Sequence, residues 1–244
     1  VGATTGSVTA SGTTAALAAG ATSTNELKVG YIGSTASAGT VSGTANIGFQ
    51  SKGQAGTGLG LVDAAVTSGT VLVSGEIYRL AVGSLSAQAV DLGVIRQNGA
   101  FATQSITVSN VAVSTDRFSD DLAAAVGSTT GGISAQGAVT RLSAGTSSVG
   151  AITVGFGGNT GVAGLVSGTA VIGYTSLGQV GTGLADVTLA SGSVQVTGTI
   201  YREAVLTLDG NATTTVDLGR VRLGGTFATG SLLLGNGASA DGAF

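Results

Sequence analysis

The stretch Gly43-Thr-Ala-Asn-Ile-Gly-Phe-Gln-Ser-Lys-Gly-Gln-Ala-Gly-Thr-Gly-Leu59 returns as Gly168-Thr-Ala-Val-Ile-Gly-Tyr-Thr-Ser-Leu-Gly-Gln-Val-Gly-Thr-Gly-Leu184, identical at 12 of 17 positions. Working outward, Val1-Gly-Ala-Thr-Thr-Gly6 returns as Val126-Gly-Ser-Thr-Thr-Gly131, at the same offset of 125 residues. Val90–Ser105 returns as Val216–Ser231 with 10 of 16 positions identical. Across the chain the offset drifts only between 123 and 126, so small insertions sit in loops. A repeat this long is domain-sized, well beyond the ~20–50 residues of most solenoid repeats.

The repeat is cut in the middle. Val1 aligns with Val126 and Phe244 with Phe118, so joining one tail to another head omits only the equivalents of Ser119–Ala125. Residues 1–81 are expected to carry the C-terminal part of one unit, 82–204 a complete unit and 205–244 the first strands of the next. The chain therefore reads as a window on a longer array, or as a subunit whose two ends are halves of one domain. Residue 1 is Val, so it is not expected to be the translation start, and no basic-then-apolar signal segment opens the chain.

Each unit reads as strands. Val71, Val73, Gly75 and Ile77 alternate with Leu72, Ser74, Glu76 and Tyr78, and Val194, Val196, Gly198 and Ile200 alternate likewise with Gln195, Thr197, Thr199 and Tyr201. Such a period of two gives a sheet one buried and one wetter face. Leu27/Val29/Tyr31 with Ile152/Val154/Phe156, Ala45/Ile47/Phe49 with Ala170/Ile172/Tyr174, and Ile106/Val108 with Leu232/Leu234 repeat the pattern. These inward sets are the expected core. Leu122–Val126 is compatible with a short helix or a strand. Gly, Ser, Thr and Asn clusters separate the strands about every ten residues, which predicts antiparallel β-sandwiches of about seven strands per unit.

Composition excludes much chemistry. The 244 residues contain 44 glycines and no Pro, Cys, His, Met or Trp, and 9% are charged. Without His or Cys there is no imidazole base, thiolate nucleophile or Cys-ligated metal site. No enzyme activity and no cofactor are expected. A net charge of −3 leaves no basic patch for phosphates, so nucleic acid is not an expected partner. The longest aliphatic runs fall far short of a membrane helix, and membrane insertion is not expected either.

In order, these residues resemble the bacterial "choice-of-anchor D" repeats, relatives of the ASPM–SPD–Hydin immunoglobulin-like domain. Asp91-Leu-Gly93 and Asp217-Leu-Gly219 match the first strand of that family, and Asn110 and Asn236 match the Asn ending its second. Gly145 and Gly20 match its turn, Val154–Phe156 its middle strand, and Gly198 and Gly75 its closing glycine. Two family prolines are replaced, by Ala19 and Ala144 in the turn and by Gly33 and Gly158 after the middle strand. The resemblance covers about Val82–Ala204 and most of the flanking halves. It implies tandem immunoglobulin-like sandwiches acting as non-catalytic modules of large extracellular or cell-surface proteins.

Several motifs carry part of the chemistry of a site. Gly53-Gln-Ala-Gly-Thr-Gly58 and Gly178-Gln-Val-Gly-Thr-Gly183 have glycines enough for a phosphate cradle but no helix to open, and read as hairpin loops. Ser51 and Ser176 lack a base, and a dyad with Lys52 fails where Leu177 replaces it. Asp116, Asp120 and Asp121, with Asp241 in the second copy, offer oxygens without a calcium-loop spacing, so no metal is assigned. Asn211-Ala-Thr213 is a glycosylation sequon by pattern alone, and Thr213–Thr215 is too short for an ice-binding array.

The pairs Asp91/Arg96 and Asp217/Arg222, with Tyr78/Arg79 and Tyr201/Arg202, recur at the passage between units. They are the candidates for inter-unit contacts through Arg–carboxylate or Arg–aromatic geometry. The expected function is a structural repeat that self-assembles into a fibre, sheath or surface layer through β-strand and head-to-tail contacts, with donor-strand completion by identical chains or by neighbouring repeats. The alternative is an adhesin whose end loops bind a glycan or protein ligand.

Overall fold

The structure is a computed structural model, and it describes residues 1–53, 60–209 and 214–238. Its strands run β1 (Val8–Ser11), β2 (Lys28–Tyr31), β3 (Gly39–Ser51), β4 (Ala64–Ile77), β5 (Gly83–Leu85), β6 (Ala89–Arg96), β7 (Gln104–Asn110), β8 (Asp121–Thr129), β9 (Ile133–Leu142), β10 (Ser147–Phe156), β11 (Gly164–Leu177), β12 (Val187–Tyr201), β13 (Leu206–Leu208) and β14 (Leu234–Asn236). No helix is present among the described residues, and Leu122–Val126 belongs to β8. The chain divides into two compact units. Unit 1 comprises Val1–Leu80 and Ala112–Asp120, and unit 2 comprises Ala81–Val111 and Asp121–Phe244.

Unit 2 contains an all-β sandwich. Its eight strands follow the order β5-β7-β10-β9-β8-β11-β12-β6. One strand turns the corner between the layers: Ile133–Gly137 of β9 pair with β10, whereas Ala138–Leu142 pair with β8. Gly137 makes that turn at φ +110°, and a Cβ there would lie 2.0 Å from the Ala151 carbonyl oxygen. Only glycine fits.

Between the layers the inward positions meet in one cluster. Ile106 and Val108 from β7, Ile152 and Val154 from β10, Ala170 and Ile172 from β11, and Val194 and Val196 from β12 are all buried. Each fully buried Val or Ile contributes roughly 1.5–3 kcal/mol. Their summed burial is what closes the sandwich, since surface ion pairs contribute about 0–1 kcal/mol each.

One pairing departs from the antiparallel rule. β6 runs parallel to β12, with Val90 opposite Val196 and Arg96 opposite Tyr201. A bulge interrupts it, because Thr197 faces Asp91 while Thr199 faces Val94. The extra residue is absorbed at Gly93, at φ +81°.

Unit 1 repeats the pairings of half this sandwich. β1–β2 (Val8 opposite Tyr31) copies the β9–β10 pair of Ile133 and Phe156. β3–β4 (Gly39 opposite Ile77) copies β11–β12 (Gly164 opposite Ile200), bulge included. A threonine clasp recurs too: Thr5 N donates to Thr44 O at 2.9 Å, as Thr130 N does to Thr169 O at 2.9 Å.

Burial separates the copies. Val154 is 1% exposed and its counterpart Val29 46%, and Tyr174 is 5% exposed against 51% for Phe49. Ala45 and Ile47 are buried, but Leu27 and Val71 are exposed where Ile152 and Val194 are fully covered. The cause is topological. Among the described residues β4 pairs only with β3, and β2 only with β1. Their free edges correspond to the edges that carry β6 and β7 in unit 2.

Candidate functional site: the open strand edges and the C-terminal arm

The eight junction candidates fall into two sets. One set lies whole in unit 2. Arg96 stands directly opposite Tyr201 at the end of the parallel pair, and Arg202 follows on the same strand line. Asp91 is not joined to Arg96 by an ion pair. Its Oδ1 accepts the Gly93 amide at 2.9 Å, which holds the bulge. A carboxylate at that position serves the backbone rather than the guanidinium five residues on.

The other set is divided. Tyr78 and Arg79 stand at the end of β4 in unit 1, while Asp217 and Arg222 lie in the C-terminal arm of unit 2. Tyr78 Oη donates to Glu76 Oε2 at 2.9 Å, which raises the phenol pKa. The Tyr78 ring meets Phe118 edge-on at 5.6 Å. Arg79 grips Asp116 with Nη1 at 2.8 and 3.0 Å from the two carboxylate oxygens. That hydrogen bond, with the Phe118 amide, holds the Asp116 carboxyl below its ordinary range. Arg117 pairs with the other Glu76 oxygen. Asp116, Arg117 and Phe118 therefore belong to this cluster, which their spacing in the sequence does not announce. The repeat could not reveal it, because their second-copy counterparts fall at 242–244, outside the described residues.

The arm carries the sequence of β5, β6 and β7 without their sheet. β13 pairs with β14, with Leu206 opposite Asn236, as β5 pairs with β7, with Gly83 opposite Asn110. Between them the copy of β6, residues 216–222, forms no strand. It nevertheless keeps the features that end and kink β6. Asp217 Oδ1 accepts the Gly219 amide at 2.8 Å, with Gly219 at φ +77°. The Gly225 amide reaches the Arg222 carbonyl at 2.8 Å, as Gly99 reaches Arg96 at 3.0 Å. Val216, Leu218, Phe227, Leu232 and Leu234 are all exposed.

Asn110 shows what such an arm does when housed. Fully buried, it accepts the Val82 amide at 3.1 Å and donates Nδ2 to the Leu142 carbonyl at 3.0 Å. Asn236 makes the first bond, from the Val205 amide at 2.9 Å. The counterpart of Leu142 is Leu17, in unit 1.

Other motifs resolve into structure. Gly178 opens the β11–β12 hairpin loop, its amide donating to Asp186 Oδ1 at 3.1 Å. In the first copy Gly53 donates to Asp63 at 3.1 Å, and Lys52 pairs with Asp63 at 2.5 Å, while residues 54–58 lie outside the described residues. Ser176 is buried and its Oγ accepts the Ala81 amide at 2.8 Å. Asp121 is held by Arg141 at 2.6 Å. Among the described residues no three acidic, His or Cys side chains gather as metal ligands. Residues 211–213 of the sequon and threonine run and Asp241 lie outside the described residues.

A shallow cleft of about 350 Å³ lies beside β5 and the β12 bulge, bordered by Gln88, Tyr174 and Ser191. The Tyr174 hydroxyl is buried there with no hydrogen-bond partner, packed against Gly192. No helix among the described residues is long and apolar enough to cross a membrane.

No family model and no curated protein matches this chain. Among solved structures it is similar to the ASH/PapD-like domain of human CEP192 (PapD-like domain 7). That similarity covers 50% of this chain and 86% of the other, at 10% identity and a TM-score of 0.30. At that score it carries no residue role.

Proposed function

We propose that the chain is a non-enzymatic architectural repeat that assembles head to tail, the open edges of unit 1 being completed by strands of the kind its own C-terminal arm carries. One observation supports this above the rest. Equivalent residues are buried in unit 2 and exposed in unit 1, and the strands that make the difference recur in the arm with their own apolar faces exposed. Exposed strand edges beside an apolar face are templates for pairing with another chain, and strand addition satisfies backbone groups and apolar pockets together.

The resemblance to choice-of-anchor D repeats agrees with a module of a large extracellular or cell-surface bacterial protein. A fibre, sheath or surface layer is the assembly such a repeat would build. Electron microscopy of the concentrated chain tests the reading. Filaments or sheets with a regular axial repeat are expected. Dispersed particles that instead bind a glycan or protein ligand would replace it with the adhesin.

A further inference from the structure

We infer that the junction is a specific parallel strand pair, in which Val216–Arg222 of a second copy lies along the free edge of β4 with Arg220 facing Glu76. This rests on the head-to-tail reading and adds the register, the charge pair and the aromatic anchor that would fix it.

The register follows from unit 2. There Val90 faces Val196, Val94 faces Thr199 and Arg96 faces Tyr201. Aligning Val194–Ile200 with Val71–Ile77, and Val90–Ser105 with Val216–Ser231, carries these pairs to Val216 with Val73, Arg220 with Glu76 and Arg222 with Tyr78. The last repeats the arginine–tyrosine pair of unit 2. The middle one is new: Val94 and Thr199 are uncharged, whereas Arg220 and Glu76 carry opposite charges. The edge of unit 1 and the arm thus carry complementary charges at the two sides of a rung that is uncharged in unit 2. Arg117 already touches Glu76, so Arg220 would join a carboxylate with one cationic neighbour. An exposed pair of this kind contributes little energy but penalises a slipped register.

Packing points to the same place. In unit 2 the Phe101 ring sits over Gly198, where a Cβ would be 2.8 Å from it. Phe101 also meets Phe156 edge-on at 5.9 Å. Gly75, the counterpart of Gly198, has only Val41 within 4 Å of its Cβ position, at 3.5 Å. The counterpart of the ring is Phe227, 56% exposed in the arm. The kinked conformation is already in place at Gly219, so docking does not have to create it.

The test is charge reversal with a cysteine check on the otherwise cysteine-free chain, using sedimentation of the full chain. Glu76→Arg and Arg220→Glu are each expected to weaken self-association about five- to tenfold, and the double variant to restore it. Full-length Leu72→Cys and Thr215→Cys chains, mixed and oxidised, are expected to cross-link with each other, since Gln195 faces Ala89 in unit 2. Wild-type assembly with neither charge coupling nor this cross-link would overturn the register while leaving head-to-tail assembly standing. Absence of wild-type self-association at any concentration would overturn both.

Discussion

Phe101 lies on Gly198 so closely that a Cβ there would stand 2.8 Å from the ring. The closing glycine is therefore a seat for an aromatic from the loop that follows the neighbouring strand β6, and its copy Gly75 is the same seat left open. One substitution should act differently in the two places. Gly198→Val is expected to destabilise unit 2 by about 1–3 kcal/mol in urea unfolding, through overpacking. Gly75→Val should leave unfolding within about 0.5 kcal/mol and weaken self-association instead. Equal effects on folding would refute the assignment of the seat.

Asn110 joins three backbone segments from a fully buried position. Asn110→Ala strands the Val82 amide and the Leu142 carbonyl, and is expected to cost about 2–4 kcal/mol of unit 2 stability. Asn236→Ala, at an exposed strand end, should cost less than about 1 kcal/mol in the dispersed chain. Denaturant midpoints of the two variants check the contrast.

The buried Tyr174 hydroxyl has no partner, and the other repeat places Phe49 at the same position. Burial also raises the phenol pKa. Tyr174→Phe removes a desolvated hydroxyl without changing the packed ring, so its effect is expected to lie between neutral and about 1 kcal/mol stabilising. A loss of more than about 1 kcal/mol would mean that the hydroxyl is satisfied in solution.

The Arg79–Asp116 pair predicts a local acid response. Its carboxyl pKa is lowered in the fold, so the pair contributes fully above the unfolded value of about 3.9 and is lost as pH falls through the folded value. Amide exchange at Phe118, whose N–H donates to Asp116 at 2.9 Å, should quicken relative to intrinsic rates below about pH 4. Arg79→Met should move that pH step to higher pH, because only the Phe118 amide then holds the carboxyl down. Salt should weaken the pair, because both groups are partly solvated.

Period-two patterns make the strands and the unit 2 core legible in the sequence. Ile152, Val154, Ile172 and Val194 were inward by pattern and are buried in fact. Their copies Leu27, Val29 and Val71 had the same pattern and are exposed, because alternation reports which face is apolar and not whether anything covers it. The parallel β6–β12 pair was not legible, since side-chain period is the same for either strand direction. For the candidate site, the sequence identified Arg96 and Tyr201 without pairing them. It joined Asp91 to Arg96 by charge, where the turn at Gly93 takes the carboxylate instead. The Arg79–Asp116 and Arg117–Glu76 contacts bring together residues from either side of Ala81–Val111, and no local spacing announces them.

The most direct test of head-to-tail completion is hydrogen exchange of the full chain at increasing concentration. Protection should rise together at 27–31, 72–78 and 215–234 as chains associate, while the unit 2 core stays protected throughout. Protection at those three segments that is independent of concentration, in a chain that remains monomeric, would contradict the account.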